Sequence, residues 1–271
     1  MSSLLKIDGM SVTFATPRGN LRAVNDVTIE LLQGESLGVV GESGSGKTVL
    51  SRATMGLLPG TATRTGTITY NGQVISDLPK DEVRELWGTG MAMIFQDPMT
   101  ALNPVRRIGS QLTESLTVRL GMDKKAAKLK AVELLKRVRI PDPESMLRKF
   151  PYQLSGGMRQ RIMIAIAVSC EPELLFADEP TTPLDVTVQA QVLDLITELR
   201  KESNMAMILV THDLGVVAGH TDKIAVMYAG DVVEYAPTRQ LFSNMKMPYT
   251  EALLKSIPRL ETPTGSRLPV I

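Results

Sequence analysis

The stretch GESGSGKT, Gly41 to Thr48, sets three glycines, two serines and a threonine around one lysine, directly after the apolar run SLGVV. Such a composition packs no core and makes a poor helix interior. It suits another task. Glycines let successive backbone N–H groups converge on one point, the lysine adds a full positive charge, and the threonine hydroxyl can ligate a cation. The spacing Gly41-x-x-x-x-Gly46-Lys47-Thr48 is the phosphate-loop pattern, and a strand before it with a helix after it is the context that pattern requires. A helix starting near Lys47 also brings the positive end of its dipole to the same place. Gly41, Glu42, Ser43, Gly44, Ser45, Gly46, Lys47 and Thr48 are therefore expected to cradle phosphates, with Lys47 on the β- and γ-phosphates and Thr48 on Mg²⁺.

A bound nucleoside triphosphate releases its energy only when water is activated beside it. The run LLFADE ends an apolar strand in two carboxylates. Asp178 at the strand end is placed to hold the metal, and Glu179 to polarise the attacking water. The chain has two histidines. His212 follows the apolar run AMILVT, so it can present its ring to a γ-phosphate or to that water. His220, Trp87 and Cys170 read as surface or packing residues.

The elements that must position these groups follow from periodicity. LLKIDGMSVTF and AVNDVTIELL alternate with period two, and GTITYNGQVI carries an Asn-Gly turn between β-formers. ESLGVVGESGSGKTVLSRATMGLL reads as buried strand, loop and helix. From Leu102 to Phe150 the apolar spacing becomes helical, and the lysines at Lys124, Lys125, Lys128 and Lys130 read as a solvated helix face. A glycine pair, Gly156 and Gly157, opens a strongly apolar helix. ELLFADE and AMILVTHD have the character of buried parallel strands, with a helix from Val186 to Glu202 between them. KIAVMYAGDVVEYA reads as a hairpin with Ala-Gly at its turn, and the tail from Pro258 as loosely attached.

Composition narrows the class. The 271 residues are 43% hydrophobic and 22% charged, as a globular chain of one domain with a subdomain would be. A formal net charge of +1 supplies no basic field for nucleic acid. One cysteine permits no internal disulfide, which fits a reducing compartment. No run of apolar residues is long enough to span a bilayer, and MSSLLKIDGM lacks the form of a signal peptide. A cytoplasmic protein that docks on a membrane protein is expected.

With these motifs in place, the chain resembles the ATP-binding cassette (ABC) ATPases over nearly its whole length. LSGGMRQ, Leu154 to Gln160, resembles the family signature. Gln96 in IFQDP falls at the Q-loop, TPLD from Thr182 to Asp185 resembles the D-loop, and His212 resembles the switch histidine. The resemblance implies an α/β phosphate-loop NTPase fold with an N-terminal antiparallel β-subdomain and an inserted helical subdomain. It implies one ATPase domain over residues 1–271, with the helical subdomain at about 97–155 and a C-terminal extension at 235–271. It adds catalytic roles for Glu179, His212 and Gln96, metal contacts by Thr48, Gln96 and Asp178, a nucleotide contact by Asp185, and adenine stacking on Phe14. Ser155, Gly156 and Gly157 precede a helix and form a second anion site; in the family it faces the γ-phosphate held by a second cassette.

QDPMTALNPVRRIG, the run from SGGMRQ through TPLDVTVQAQ, and PYTEALLKSIPRL are similar to dipeptide and oligopeptide importer ATPases, which include nickel-importing relatives. Met158 resembles the D-type subunit of their D/F pair. The implied cofactors are ATP and Mg²⁺. The implied partners are a second cassette (an F-type paralogue or a copy of this chain), two transmembrane permease subunits and a solute-binding protein, at the cytoplasmic face of the inner membrane, with no nucleic acid. The groove for a permease coupling helix is expected from Gln96 to about Ser115. Pro183 departs from the family's usual alanine. The D-type subunits often continue into a cysteine-bearing segment; this chain stops at Ile271 without one, and no iron–sulfur cluster is carried over. Cassette proteins of DNA repair insert a long coiled coil before the signature, and this chain has no sustained heptads there. Translation factors carry two cassettes in one chain, and here there is one.

Overall fold

Residues 3–181 and 185–256 are described by the computed structural model. They divide into two units, 3–83 with 208–256, and 84–207. The tail from Pro258 and Thr182, Pro183 and Leu184 of the D-loop lie outside the described residues.

The first unit begins with two long strands, β1 (Ser3–Thr16) and β2 (Gly19–Leu32), paired antiparallel. Leu5, Ile7, Met10 and Val12 on β1 and Val27, Ile29 and Leu31 on β2 are buried, so the two-residue alternation becomes one inward face. Strand β3 (Ser36–Val40) is buried at every position and leads into the glycine-rich loop and α1 (Lys47–Thr54). Strand β4 (Ala62–Tyr70) adds to β1 antiparallel, then turns at Asn71 and Gly72, both with positive φ, into the two-residue β5 (Gln73–Val74). The hairpin expected from the Asn-Gly pair forms. The short helix α2 (Lys80–Glu85) follows.

In the second unit, β6 (Met91–Ile94) pairs parallel with β7 (Leu174–Asp178). Between them run α3 (Pro98–Ala101), α4 (Ile108–Leu120), α5 (Lys124–Arg137), α6 (Pro143–Met146) and α7 (Gly156–Ala167). Helix α7 packs on β6, α3, α4 and α5, which accounts for its apolar sequence: Ile162, Met163, Ile164 and Ala165 are buried in succession. Helix α8 (Val186–Ser203) ends at Asn204, whose left-handed backbone closes it.

Strand β8 (Ala206–Thr211), buried throughout, carries the chain back to the first unit. There α9 (Leu214–Ala218) is followed by β9 (Lys223–Tyr228), which lies parallel to β3, and by β10 (Asp231–Pro237), antiparallel to β9 through the Ala229–Gly230 turn. Helices α10 (Thr238–Ser243) and α11 (Pro248–Lys255) complete the described chain.

Candidate nucleotide-binding and hydrolysis residues

The phosphate loop is shaped by two close backbone approaches. A Cβ added to Gly41 would lie 2.1 Å from the Met227 carbonyl oxygen of β9. One added to Gly46, where φ is +102°, would lie 2.2 Å from the Ala23 carbonyl oxygen of β2. Only glycine fits either position. The loop is thus wedged between two strands, and the Gly230 N–H ties the Ser45 carbonyl to the β9–β10 turn at 3.1 Å. Sequence spacing predicted glycines here. It carried no signal of the strands that require them, because those strands are remote in the chain.

Lys47 is 4% exposed and folds back into this cradle. Its ammonium donates to the Gly41 carbonyl at 2.8 Å, the Glu42 carbonyl at 2.7 Å and the Ser45 hydroxyl at 3.4 Å. A lysine with that many local acceptors keeps its charge pointed into the loop. Thr48 follows in the first turn of α1, where N–H groups are not consumed by the helix ladder. Phe14 is half-buried near the end of β1, opposite Leu21 on β2 and Ala62 on β4. His212 is exposed just beyond β8, and the next residue, Asp213, caps α9 by accepting from the Gly215 N–H at 2.7 Å.

In the second unit Asp178 is fully buried at the end of β7. Glu179 is half-buried with φ +44°, a left-handed backbone uncommon for a residue with a side chain. Such strain clusters at functional sites. The exposed Gln96, two residues beyond β6, donates its amide N–H to the Glu179 carboxylate at 3.1 Å. The structure therefore brings Gln96 and Glu179 together.

Ser155 caps α7, its hydroxyl accepting from the Met158 N–H at 3.3 Å. Ser155 and Gly156 are exposed and Gly157 is half-buried. Asp185 caps α8 by accepting from the Val188 N–H at 3.0 Å, a role that its place before VTVQ makes physically natural. One contact had no role in the sequence reading: the Tyr249 hydroxyl of α11 accepts from the Glu42 N–H of the phosphate loop at 3.1 Å.

Comparison with known proteins fits this geometry. The ABC transporter family matches residues 24–182, and the oligopeptide/dipeptide transporter C-terminal region matches residues 233–271. The oligopeptide transport ATP-binding protein OppD of Salmonella typhimurium is 49% identical over 267 residues, covering 98% of this chain and 80% of the relative. The dipeptide transport ATP-binding protein DppD of Bacillus subtilis is 45% identical over 272 residues, covering 100% of this chain and 81% of the relative. Among solved structures, the dimeric bacterial ABC transporter cassette MJ0796 superposes with a TM-score of 0.78 at 25% identity, covering 87% of this chain and 99% of that one. A phosphate loop wedged as this one is, followed by the signature helix and the acidic strand end in the family's order, has one reading: the chain belongs to the ABC transporter family and has its ATPase fold.

Proposed function

We propose that this chain is the ATP-binding and ATP-hydrolysing subunit of an importer of dipeptides or oligopeptides, acting from the cytoplasmic face of the membrane. The observation that carries the ATP reading is the glycine-walled loop with the Lys47 ammonium buried against its carbonyls, at the start of a helix. The peptide reading draws on relatives named for oligopeptide and dipeptide transport. Among the described residues no helix is long and apolar enough to cross a membrane, so attachment would run through permease subunits.

In this reading Lys47 and the loop N–H groups neutralise the phosphates. Glu179 accepts a proton from the attacking water, Gln96 orients that carboxylate through its amide hydrogen bond, and His212 faces the γ-phosphate. Thr48, Asp178 and Gln96 would hold Mg²⁺. Hydroxyl, carboxylate and amide oxygens are the hard donors such an ion takes alongside phosphates, and an amide whose nitrogen is spent on Glu179 has its oxygen left for a cation. The ion would supply charge neutralisation on the phosphates. Asp185 would contact nucleotide from the D-loop, and Phe14 would stack on adenine. Ser155, Gly156 and Gly157 would meet the γ-phosphate held by a second cassette, an F-type paralogue in preference to a copy of this chain.

A permease segment would dock on residues Gln96 to about Ser115. Met99 and Val105 are 59% and 80% exposed there, and a cavity of about 530 Å³ lies alongside, lined in part by Arg106, Arg107, Ser110 and Glu114. The test is ATP hydrolysis by the reconstituted transporter with its binding protein. Peptide-loaded binding protein should stimulate turnover, and Gln96→Ala should reduce that stimulation more than it weakens ATP binding. Stimulation by nickel and not by peptide would replace the peptide assignment, and undiminished stimulation in Gln96→Ala would remove the Q-loop role.

A further inference from the structure

The C-terminal helix reaches back to the phosphate loop through one hydroxyl. Tyr249 stands in the first turn of α11, and its oxygen accepts the Glu42 N–H at 3.1 Å. Its ring lies against Tyr228 at the end of β9, with centroids 4.7 Å apart and planes tilted by 56°. The carbonyl of the same Glu42 accepts from the Lys47 ammonium at 2.7 Å. Glu42 is therefore held at its N–H by the C-terminal helix and at its carbonyl by the phosphate-loop lysine, with the Ser45 N–H also on that carbonyl at 3.2 Å.

These two holds respond differently to a nucleotide. An ammonium has three hydrogens, and Lys47 has the Gly41 and Glu42 carbonyls and the Ser45 hydroxyl as acceptors within its own loop. Turning toward a phosphate means giving up part of that set. The Tyr249 bond does not involve Lys47 and survives the turn. Burial raises the Tyr249 hydroxyl above its ordinary titration range, so it stays protonated at neutral pH. Tyr249 lies within residues 233–271, the segment matched by the oligopeptide/dipeptide C-terminal region, whereas the loop lies within residues 24–182.

We propose that Tyr249 is a positioning residue whose hydroxyl holds the Glu42 peptide in place while Lys47 turns to the nucleotide, so that the C-terminal segment and the phosphate loop report each other's state. This rests on reading Gly41 to Thr48 as the phosphate cradle. Coupling of this kind is reciprocal: whatever the helix contributes to nucleotide affinity, the nucleotide returns as order in the helix.

The test uses the full chain with Tyr249→Phe, which keeps the ring against Tyr228 and removes the hydroxyl. Tyr235→Phe is the control, since that hydroxyl donates to the Glu30 carbonyl at 3.2 Å, between β10 and β2. Tyr249→Phe should bind ATP and ADP about three- to tenfold more weakly, because the Glu42 peptide can then shift once Lys47 leaves it, and its melting temperature should fall no further than that of Tyr235→Phe. Hydrogen exchange in residues 248–255 should slow when ATP binds the natural chain and should not respond in the variant. In the assembled transporter KM for ATP should rise by the same factor and kcat should stay within about twofold. The proposal falls if Tyr249→Phe binds nucleotide like the natural chain, if residues 248–255 exchange alike with and without ATP in the natural chain, or if affinity is lost only together with melting temperature and equally in Tyr235→Phe. A natural chain that binds no ATP would take the phosphate-cradle reading down as well, whereas normal binding by both would overturn only the role of Tyr249.

Discussion

The two glycine-bearing loops proposed to meet phosphates are built in opposite ways. The phosphate loop is enclosed: a Cβ added to Gly41 or Gly46 would fall 2.1 or 2.2 Å from a carbonyl oxygen of a neighbouring strand, and Ser45 and Lys47 are each 4% exposed. The signature loop is open. Ser155 and Gly156 are exposed, and among the described residues a Cβ added to Gly157 would meet a Val188 methyl at 3.3 Å. Both place small residues before a helix, so the local chemistry is alike. What differs is the source of the other walls. The phosphate loop takes its walls from its own unit. Among the described residues the signature loop has a cap and a helix dipole and stays open, which is the ground for proposing it as a half-site completed by another molecule.

The largest expected effect comes from locking the two kinds of loop together. Glu179→Gln removes the proton acceptor for water while keeping the side chain's size. Turnover in the assembled transporter should fall about a hundredfold or more, ATP affinity should persist, and the variant should accumulate with ATP as a closed pair of cassettes. Single-turnover measurements read the first effect and size-exclusion chromatography with ATP the second. Rapid steady-state hydrolysis would remove Glu179 from its role.

Next in size is a block on the open loop. Ser155→Arg places a long cation where a partner's γ-phosphate would sit, and an exposed site accommodates it without unfolding. Loss of preorganised donors at a phosphoryl group costs on the order of 10² in rate. Hydrolysis of the ATP on the partner's phosphate loop should fall by about that factor, while nucleotide affinity at Lys47 stays unchanged. Site-resolved turnover in the reconstituted complex distinguishes the two. A fully active Ser155→Arg complex, or full activity from this chain alone, would refute the half-site reading.

A matched pair of glycine substitutions tests the enclosure itself. Gly46→Ala meets a carbonyl oxygen at 2.2 Å with φ +102°. It should cost about 1–3 kcal/mol of stability and weaken ATP binding at least about tenfold. Gly157→Ala meets a movable methyl at 3.3 Å, and its φ does not fall in the glycine-favouring region. It should change stability by less than about 0.5 kcal/mol. Urea unfolding with nucleotide titration compares them, and equal effects at the two positions would erase the contrast.

Much of this was legible in the sequence for a local reason. A glycine-rich loop between strand and helix, an Asn-Gly hairpin, an Ala-Gly hairpin and a buried acidic strand end are each set by residues adjacent in the chain, and each forms where expected. Helix α8, expected from Val186 to Glu202, runs one residue further because Asn204 supplies the left-handed cap. What could not be read was long-range. No pattern links Gly46 to Ala23, Gly41 to Met227 or Glu42 to Tyr249, since those contacts depend on how strands and helices far apart in sequence meet. The left-handed backbone of Glu179 was equally hidden, because nothing in ADEP marks a positive φ. Asp185 was read through its D-loop resemblance, and its helix-capping bond adds a structural task to that residue.

The smallest expected effect asks whether charge or backbone packing holds the enclosed loop. Glu35 stands just before β3, the strand that carries the phosphate loop at its far end, and accepts from the Lys223 ammonium at the start of β9 at 2.8 Å. The hydrogen bond to Glu35 raises the Lys223 pKa above 10.5, with burial opposing it. A lysine whose folded pKa is raised lends stability that is fully present below its unfolded pKa and is lost as pH rises through the folded one. The pair is 28% and 14% exposed, so solvent screens it in part. Lys223→Met should therefore lower stability by about 0.5–1 kcal/mol at pH 7 and pH 9. The gap should shrink above about pH 10.5 as the natural lysine loses its proton. ATP affinity at neutral pH should stay within about twofold, because the walls at Gly41 and Gly46 are backbone. Urea unfolding at pH 7, 9 and 11 measures the gap. A gap that persists undiminished at pH 11 would mean that packing of the lysine stem, and not its charge, supplies the stability, whereas a large loss of ATP affinity in Lys223→Met would mean that this ion pair, and not strand packing alone, shapes the loop.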